Sequence, residues 1–522
     1  MILSITTFSA LVTSVLAISS THDGYISASN QSLQACLANK SVPLSLNSSS
    51  DWASLIDPYN LRLKYIPTAV TLPTTPQQVS DIVVCAAAAG VKVQARSGGH
   101  SYGSFSLGGK NGSLVVDLRN FNTISLDNST GIVTVGGGAR LGNLGLGIHN
   151  QGQRALPHGT FPGVGIGGHY THGGFGYSSR RWAMDVVLAD GRLVHVTPAS
   201  YPDLYYALRG AADSIGIITT FHLQTQPAPA QVVSYASNFS TALKTADAAA
   251  DIVFKLQTFV TTSPYVNRNL TLEVYTSIFG EFNVRGWYFG DLDHFTQTVF
   301  PAMLSGMPTP DNTTVQEYGW LTALENIAEG EPLREPLTGY NNHQTFYTKS
   351  VVTREAKPLS KVALASYFQY IIDKGLTAAF PWNIFISLYG GKDSQINTPA
   401  ADSAAYSHRD SLWVFQVSTA RLSVWTLRLT CFENIGSSAD RLPPFSPEIT
   451  TFVDGLNAAL TAAQPDGDFL AYPNYLDPAL TPAEAADLYY GPATYGKLVK
   501  IKGDVDPRAV FWNPQAIGNA VL

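Results

Sequence analysis

Arg96-Ser97-Gly98-Gly99-His100-Ser101-Tyr102 places two adjacent glycines beside an imidazole. Glycine lets backbone N–H groups turn inward and approach an anion closely. A pyrophosphate is the usual anion of such a nest, and His100 would then lie against a bound dinucleotide. Gly136-Gly137-Gly138 and the run from Gly159 to Gly176, with Gly163, Gly165, Gly167 and Gly168, offer further close backbone approaches. Each stretch alone reads equally well as ordinary turns; three in close succession favour a cradle. The spacing is not G-x-G-x-x-G opening a helix, which argues against a Rossmann unit. His158, His169 and His172 lie in the third stretch, but His169-Tyr170-Thr171-His172 lacks the glutamate of H-E-x-x-H, and no metal site is expected.

The elements that must hold these loops can be read around them. Thr75 is a helix N-cap, Pro76 takes the first helical position, an apolar periodic run continues to Ala89, and Gly90 closes it. Val91–Ala95 alternates as a strand and runs straight into the histidine loop. Leu114–Leu118, Gly131–Val135 and Ile217–Gln226 are further strands, the last ending at Pro227-Ala228-Pro229, a natural boundary. Beyond it, helices are expected at Leu243–Phe259 and Leu359–Lys374, and strands at Leu270–Ile278, Trp382–Tyr389 and Leu412–Val417. A final helix spans Pro482–Tyr490. The class is α+β: a leader at 1–17, a glycine-rich binding domain at 18–230, a second domain at 231–475, and a closing segment at 476–522 that returns to the first.

Composition narrows the setting. Of 522 residues, 45% are apolar, which suffices for a full core, and only 13% are charged, against about 25% in typical domains. A surface rich in Ser, Thr, Asn and Gly suits an extracellular protein. The net charge of −6 supplies no basic footprint for nucleic acid. Leu3–Ala17 is apolar or small and free of acids, and Val15-Leu16-Ala17 presents small residues where a signal peptidase reads; a buried N-terminal helix is the other reading. No later segment reaches the ~18–20 apolar residues of a membrane span. Glycosylation sequons occur at Asn30, Asn39, Asn47, Asn111, Asn128, Asn238, Asn269 and Asn312. Of the 3 cysteines, Cys36 and Cys85 lie in helical-looking stretches and are the favoured disulfide, with pairings to Cys431 left open.

Taken together, Arg96–Tyr102, Leu114–Leu118 with Gly136-Gly137-Gly138-Ala139, Gly163-Val164-Gly165 through Gly176, Asp203–Gly210, Ala405–Asp410, Tyr472-Pro473-Asn474-Tyr475 and Phe511-Trp512-Asn513-Pro514-Gln515 resemble the berberine bridge enzyme-like FAD-linked oxidases. The nearest branch is the fungal oligosaccharide oxidases of the glucooligosaccharide oxidase kind. The resemblance implies an FAD-binding domain of the PCMH type, as in the vanillyl-alcohol-oxidase fold, and a substrate domain with an antiparallel sheet covered by helices. It implies a covalent bond from His100 to the 8α-methyl of FAD. Arg96, Ser97, Gly98, Gly99, Ser101, Gly163, Gly165, Gly168, Ile217, Asn513 and Gln515 are the further cofactor contacts. Tyr472 is the implied base, Asp402 its partner, and Tyr102 a neighbour of flavin or substrate; Gln416 either faces the flavin or bonds backbone.

Three departures stand out. Phe161, in Gly159-Thr160-Phe161-Pro162-Gly163, occupies the place of the cysteine that forms a second flavin bond in bicovalent members, so a single link is expected. Ser179–Leu188 is several residues short of the family pattern, and Ser418–Ser446 matches nothing in it. The implied activity is oxidation of an oligosaccharide's anomeric hydroxyl to a lactone, with O2 reduced to H2O2. A secondary-metabolite oxidase acting on an alcohol, amine or ring closure, and a non-catalytic secreted glycoprotein, are the alternatives.

Overall fold

Thr75 accepts from the Gln78 N–H, Pro76 follows, and the helix Pro76–Ala89 ends on left-handed Gly90 (φ 70°), as its cap residues require. The computed structural model describes residues 30–174, 182–328, 330–338, 343–420 and 445–519. The expected leader, Cys431, most of Ser418–Ser446 and the opening of the short Ser179–Leu188 stretch lie outside the described residues.

The Pro76–Ala89 helix packs on a four-stranded sheet ordered Leu44–Ser45, Ala69–Thr71, Leu114–Asp117, Val93–Arg96. All but the first pair run parallel. Cys36, on a helix at 30–39, is bonded to Cys85 with a Cα separation of 5.7 Å. The bond pins the start of the chain to this layer. The chain end returns here too, through a bridge between Val93 and Phe511.

A second sheet is wholly antiparallel, ordered Ile124–Asp127, Ile132–Gly136, Ile217–Gln224, Trp182–Val187, Leu193–Val196. Its alternation buries Val133, Val135, Met184, Val186, Val194, Val196, Phe221 and Leu223 on one face. The closing helix covers part of that core. It spans Pro482–Val505 but is broken at Gly491 (φ 69°, ψ 164°) ahead of Pro492, so its first half ends where the Pro482–Tyr490 pattern stops.

Seven antiparallel strands form the third sheet, ordered Asn312–Tyr318, Val232–Asn238, Phe282–Tyr288, Glu273–Ser277, Trp382–Leu388, Ser411–Ala420, Phe346–Arg354. The helices Ala246–Thr262, Lys361–Tyr370 and Pro447–Thr461 cover one face. Val274, Val284, Ile384, Ile386, Phe415 and Val417 point into that core. The other face carries Glu273, Tyr275, Arg285, Phe385, Ser387 and Gln416, all partly accessible.

Candidate active site

The glycine loops meet. A Cβ on Gly98 would overlap the backbone nitrogen of Gly165, and one on Gly165 that of Gly98. Only glycine at both positions lets the histidine loop cross the third glycine stretch at backbone contact. Side chains stitch the crossing. Arg140 Nη1 donates to the carbonyls of Gly98 (2.8 Å) and Gly163 (2.7 Å). Ser97 Oγ donates to the Gly137 carbonyl (2.7 Å) and accepts from the Gly167 N–H (3.2 Å). A Cβ on Gly168 meets nothing within 4 Å. The arrangement is a glycine-lined cradle with open space at Gly168, and it fits a dinucleotide whose phosphates need close backbone approach.

Several expected contacts are also engaged within the protein around the cradle. Arg96 is buried and commits its guanidinium to Asp117 (Nε to Oδ2 2.8 Å) and to the Leu55 carbonyl, beneath the loop. Burial alone would raise the Asp117 carboxyl, but Arg96 and Arg119 outweigh it and hold it at about 2. Ser101 Oγ accepts from the Phe105 N–H (3.0 Å), closing the far side of the loop. The Ile217 side chain is spent in the apolar core of the first layer. Asn513 donates to Asp213 (2.8 Å), and Gln515 Nε2 donates to the carbonyls of Asp477 and Leu480, so both anchor the chain end. Asp213 also faces His172 at 3.2 Å. Burial opposes both charges, yet their attraction prevails, raising the imidazole and lowering the carboxyl. His158 Nδ1 meets the Gly159 carbonyl at 2.5 Å. Phe161 is 44% exposed.

His100 stacks on Tyr59, centroids 4.2 Å apart. From there a chain of rings leads across to the third sheet. Tyr59 faces Tyr102 (6.4 Å), Tyr102 stacks on Tyr475 (6.1 Å, 5° between planes), and Tyr475 meets Tyr472 edge-on (4.9 Å). Gln416 Nε2 donates to Tyr102 Oη (3.2 Å), so its side chain serves this cluster rather than the backbone. Burial raises the hydroxyls of Tyr102, Tyr475 and Tyr389 above the ordinary tyrosine range and Tyr59 to about 12. These four stay protonated at neutral pH.

Tyr472 is buried, its N–H bonded to Ser350 Oγ (2.9 Å). Its ring lies against the end of the third glycine stretch, since a Cβ on Gly173 would come within 3.2 Å of Tyr472 Oη. Asn474 Nδ2 donates to Tyr472 Oη (3.0 Å) and to the His169 carbonyl (3.2 Å), joining the tyrosine to the cradle helix Ile166–Thr171. Asp402, the partner expected for Tyr472, is exposed on a turn, and its charge faces Tyr206. Arg209 Nη1 donates to the Ser403 carbonyl and the Ala405 N–H to the Tyr206 carbonyl, anchoring that turn. Tyr59, Arg140 and Asn474 were not among the expected site residues. Arg140 had a signal in sequence, a lone charge directly after Gly136-Gly137-Gly138-Ala139, and Asn474 lay within a motif already singled out.

The fold and cradle define an FAD-dependent oxidoreductase of the PCMH type. The FAD binding domain family matches residues 67–197, and the family described as berberine and berberine like matches 471–518. A xylooligosaccharide oxidase of Thermothelomyces thermophilus is 33% identical over 94% of this chain and 95% of its own. The structure of the xylooligosaccharide oxidase from Myceliophthora thermophila C1 in complex with xylobiose superposes with a TM-score of 0.83, covering 93% of this chain and 99% of that one. Glucooligosaccharide oxidase from Acremonium strictum, with a 6-S-cysteinyl, 8α-N1-histidyl FAD, superposes at 0.81 with 30% identity over 93% and 99%. The chain belongs to the berberine bridge enzyme-like oxidases, and it is an FAD-linked oxidase acting on CH–OH groups.

Proposed function

We propose that this chain is a secreted oligosaccharide oxidase that converts the anomeric hydroxyl to a lactone while O2 becomes H2O2, on FAD held by one covalent bond to His100. The observation that carries the substrate class is the open face of the third sheet. Glu273 accepts from Arg285 Nε (3.0 Å) and Ser387 Oγ (2.9 Å), and Arg285 lies over the rings of Tyr275 (4.5 Å) and Phe385 (5.6 Å). Register places Gln416 opposite Phe385, and Phe385 opposite Tyr275. Polar groups between flat aromatic faces suit a hydroxylated ring better than an apolar alcohol or amine. The face leads straight to Tyr102, Tyr475 and Tyr472. The sugar-oxidising relatives support the same reading.

FAD supplies the hydride acceptor when bound. Tyr472 Oη takes the hydroxyl proton of the substrate as its C1–H bond breaks. A tyrosine near its ordinary pKa of ~10 is a poor base at neutral pH without a donor to hold the phenolate; Asn474 Nδ2 provides that donor. Tyr102, kept protonated by burial and oriented by Gln416, positions the sugar. In sum, lactol and O2 give lactone and H2O2. With Phe161 where the second attachment would need a thiol, His100 is the sole tether. The exposed sequons at Asn39, Asn47, Asn111, Asn128 and Asn312 and the leader pattern support secretion. No helix of the described residues is long and apolar enough to cross a membrane.

Peroxide release with cello-, malto-, xylo- and chito-oligosaccharides tests the activity; silence across the panel from flavin-loaded protein refutes it. Acid precipitation tests the tether. Yellow colour is expected in the pellet and lost from it in His100→Ala; colour in the supernatant of the wild type refutes the bond.

A further inference from the structure

The second sheet presents a group of side chains on the face opposite its core. Asp185 sits in the Trp182–Val187 strand, between Ile217–Gln224 and Leu193–Val196. His195 lies directly opposite it on one neighbouring strand. On the other side Asp185 faces Thr220, and His222 follows two residues on, along the same face. One carboxylate therefore meets two imidazoles: Oδ1 is 2.6 Å from His195 Nδ1, and Oδ2 is 3.1 Å from His222 Nε2. One ligand atom from each of the three residues lies within 4.8 Å of the others. The second nitrogen of His222 is also engaged: Thr134 Oγ1, on the next strand in register with His222, stands 3.2 Å from Nδ1. Thr134 thereby turns Nε2 toward the aspartate, as an outer partner orients a metal-ligating histidine. His195 is 55% exposed and Asp185 41%, so solvent reaches the cluster directly.

An ion-pair role alone accounts poorly for this convergence, because exposed pairs contribute little. We propose that Asp185, His195 and His222 form a surface site for one divalent transition-metal ion, zinc or copper. Two imidazole nitrogens and one carboxylate oxygen match these borderline ions, whereas magnesium and calcium prefer all-oxygen sets. Water completes the coordination on the open side. The bound ion ties three strands of the sheet together through side chains that otherwise share only hydrogen bonds. The site is separate from the glycine cradle and the tyrosine cluster, and uses none of His158, His169 and His172.

The test uses the untagged, flavin-loaded full chain, stripped with a chelator and titrated with Zn2+ against a chromophoric competitor, and with Cu2+ by electron paramagnetic resonance. One saturable ion per chain is expected, with nitrogen hyperfine structure in the copper spectrum. Thr134→Val keeps all three ligands and is expected to weaken binding by about 10–100-fold, the usual effect of losing an outer partner. His195→Ala with His222→Ala should abolish the saturable ion, leave the flavin spectrum unchanged, and remove the rise in thermal midpoint that Zn2+ produces in the wild type. Equal uptake by wild type and the double variant, or no saturable uptake by the wild type, overturns the proposal and leaves the trio a hydrogen-bonded cluster.

Discussion

Asn474→Ala removes the amide that donates to Tyr472 Oη at 3.0 Å. In the proposed reaction that oxygen must be negative before it takes the substrate proton, so the donor stabilises the phenolate that acts as base and sets how much of it is present at neutral pH. A hydrogen bond to a charged group contributes about 1.5–3 kcal/mol. At roughly 1.4 kcal/mol per tenfold, its loss should slow the chemical step about 10- to 150-fold. Because Asn474 meets the base and not the sugar face, KM should change little while kcat falls. Asn474→Asp sharpens the comparison: similar in shape, it sets a carboxylate against the phenolate base and should be slower than the alanine variant. Anaerobic mixing with a reducing oligosaccharide, following the loss of flavin absorbance, reads this step alone. The His169 carbonyl also loses a partner, so both variants should first be shown to hold flavin as the wild type does. If Asn474→Ala stays within about twofold of wild type while Tyr472→Phe is inactive, the amide is not stabilising the base.

Other consequences are measurable separately. Gly98→Ala forces a methyl into the Gly165 backbone and should yield protein without bound flavin, whereas Gly168→Ala, with open space around its Cβ, should fold equally well; a fully flavinylated Gly98→Ala refutes the loop crossing. The Cys36–Cys85 bond spans a separation of 49 residues, so Cys36→Ser with Cys85→Ser should lower the stability of the first layer by about 4 kcal/mol in the loop-entropy account, read by urea denaturation; an unchanged midpoint refutes it. Asp117, ordinarily near 3.8, is held at about 2. Its contribution is therefore present above 3.8 and lost as the pH falls toward 2, amounting to about 2 kcal/mol. Acid unfolding followed by tryptophan fluorescence should lose that part of its pH dependence in Asp117→Asn, and identical slopes would refute the assignment.

The cradle was legible because its requirements are local. A cap, a strand and two adjacent glycines lie within a few tens of residues, and each obeys a backbone rule that sequence displays directly. Strand positions in the third sheet followed for the same reason: alternation at Trp382–Leu388 shows which face is buried. Contacts set by chain crossings behaved differently. Asp402 is implied only by the resemblance, in a turn with no periodicity of its own, and the hold of Arg209 and Tyr206 on that turn is invisible in either segment. Asn474, two residues from Tyr472, was in plain view, but the turn that folds its amide back onto the phenol depends on the His169 carbonyl of another element. Asp185, His195 and His222 are the extreme case. No motif spacing links them, because strand order places residue 222 beside residue 185 on one side and 195 on the other. His158, His169 and His172 share a sequence neighbourhood; His195 and His222, far apart along the chain, share a carboxylate across the sheet. Saturable metal uptake lost in the His195→Ala, His222→Ala double variant therefore assigns the ion to histidines that are neighbours across the sheet and not to those that are neighbours along the chain.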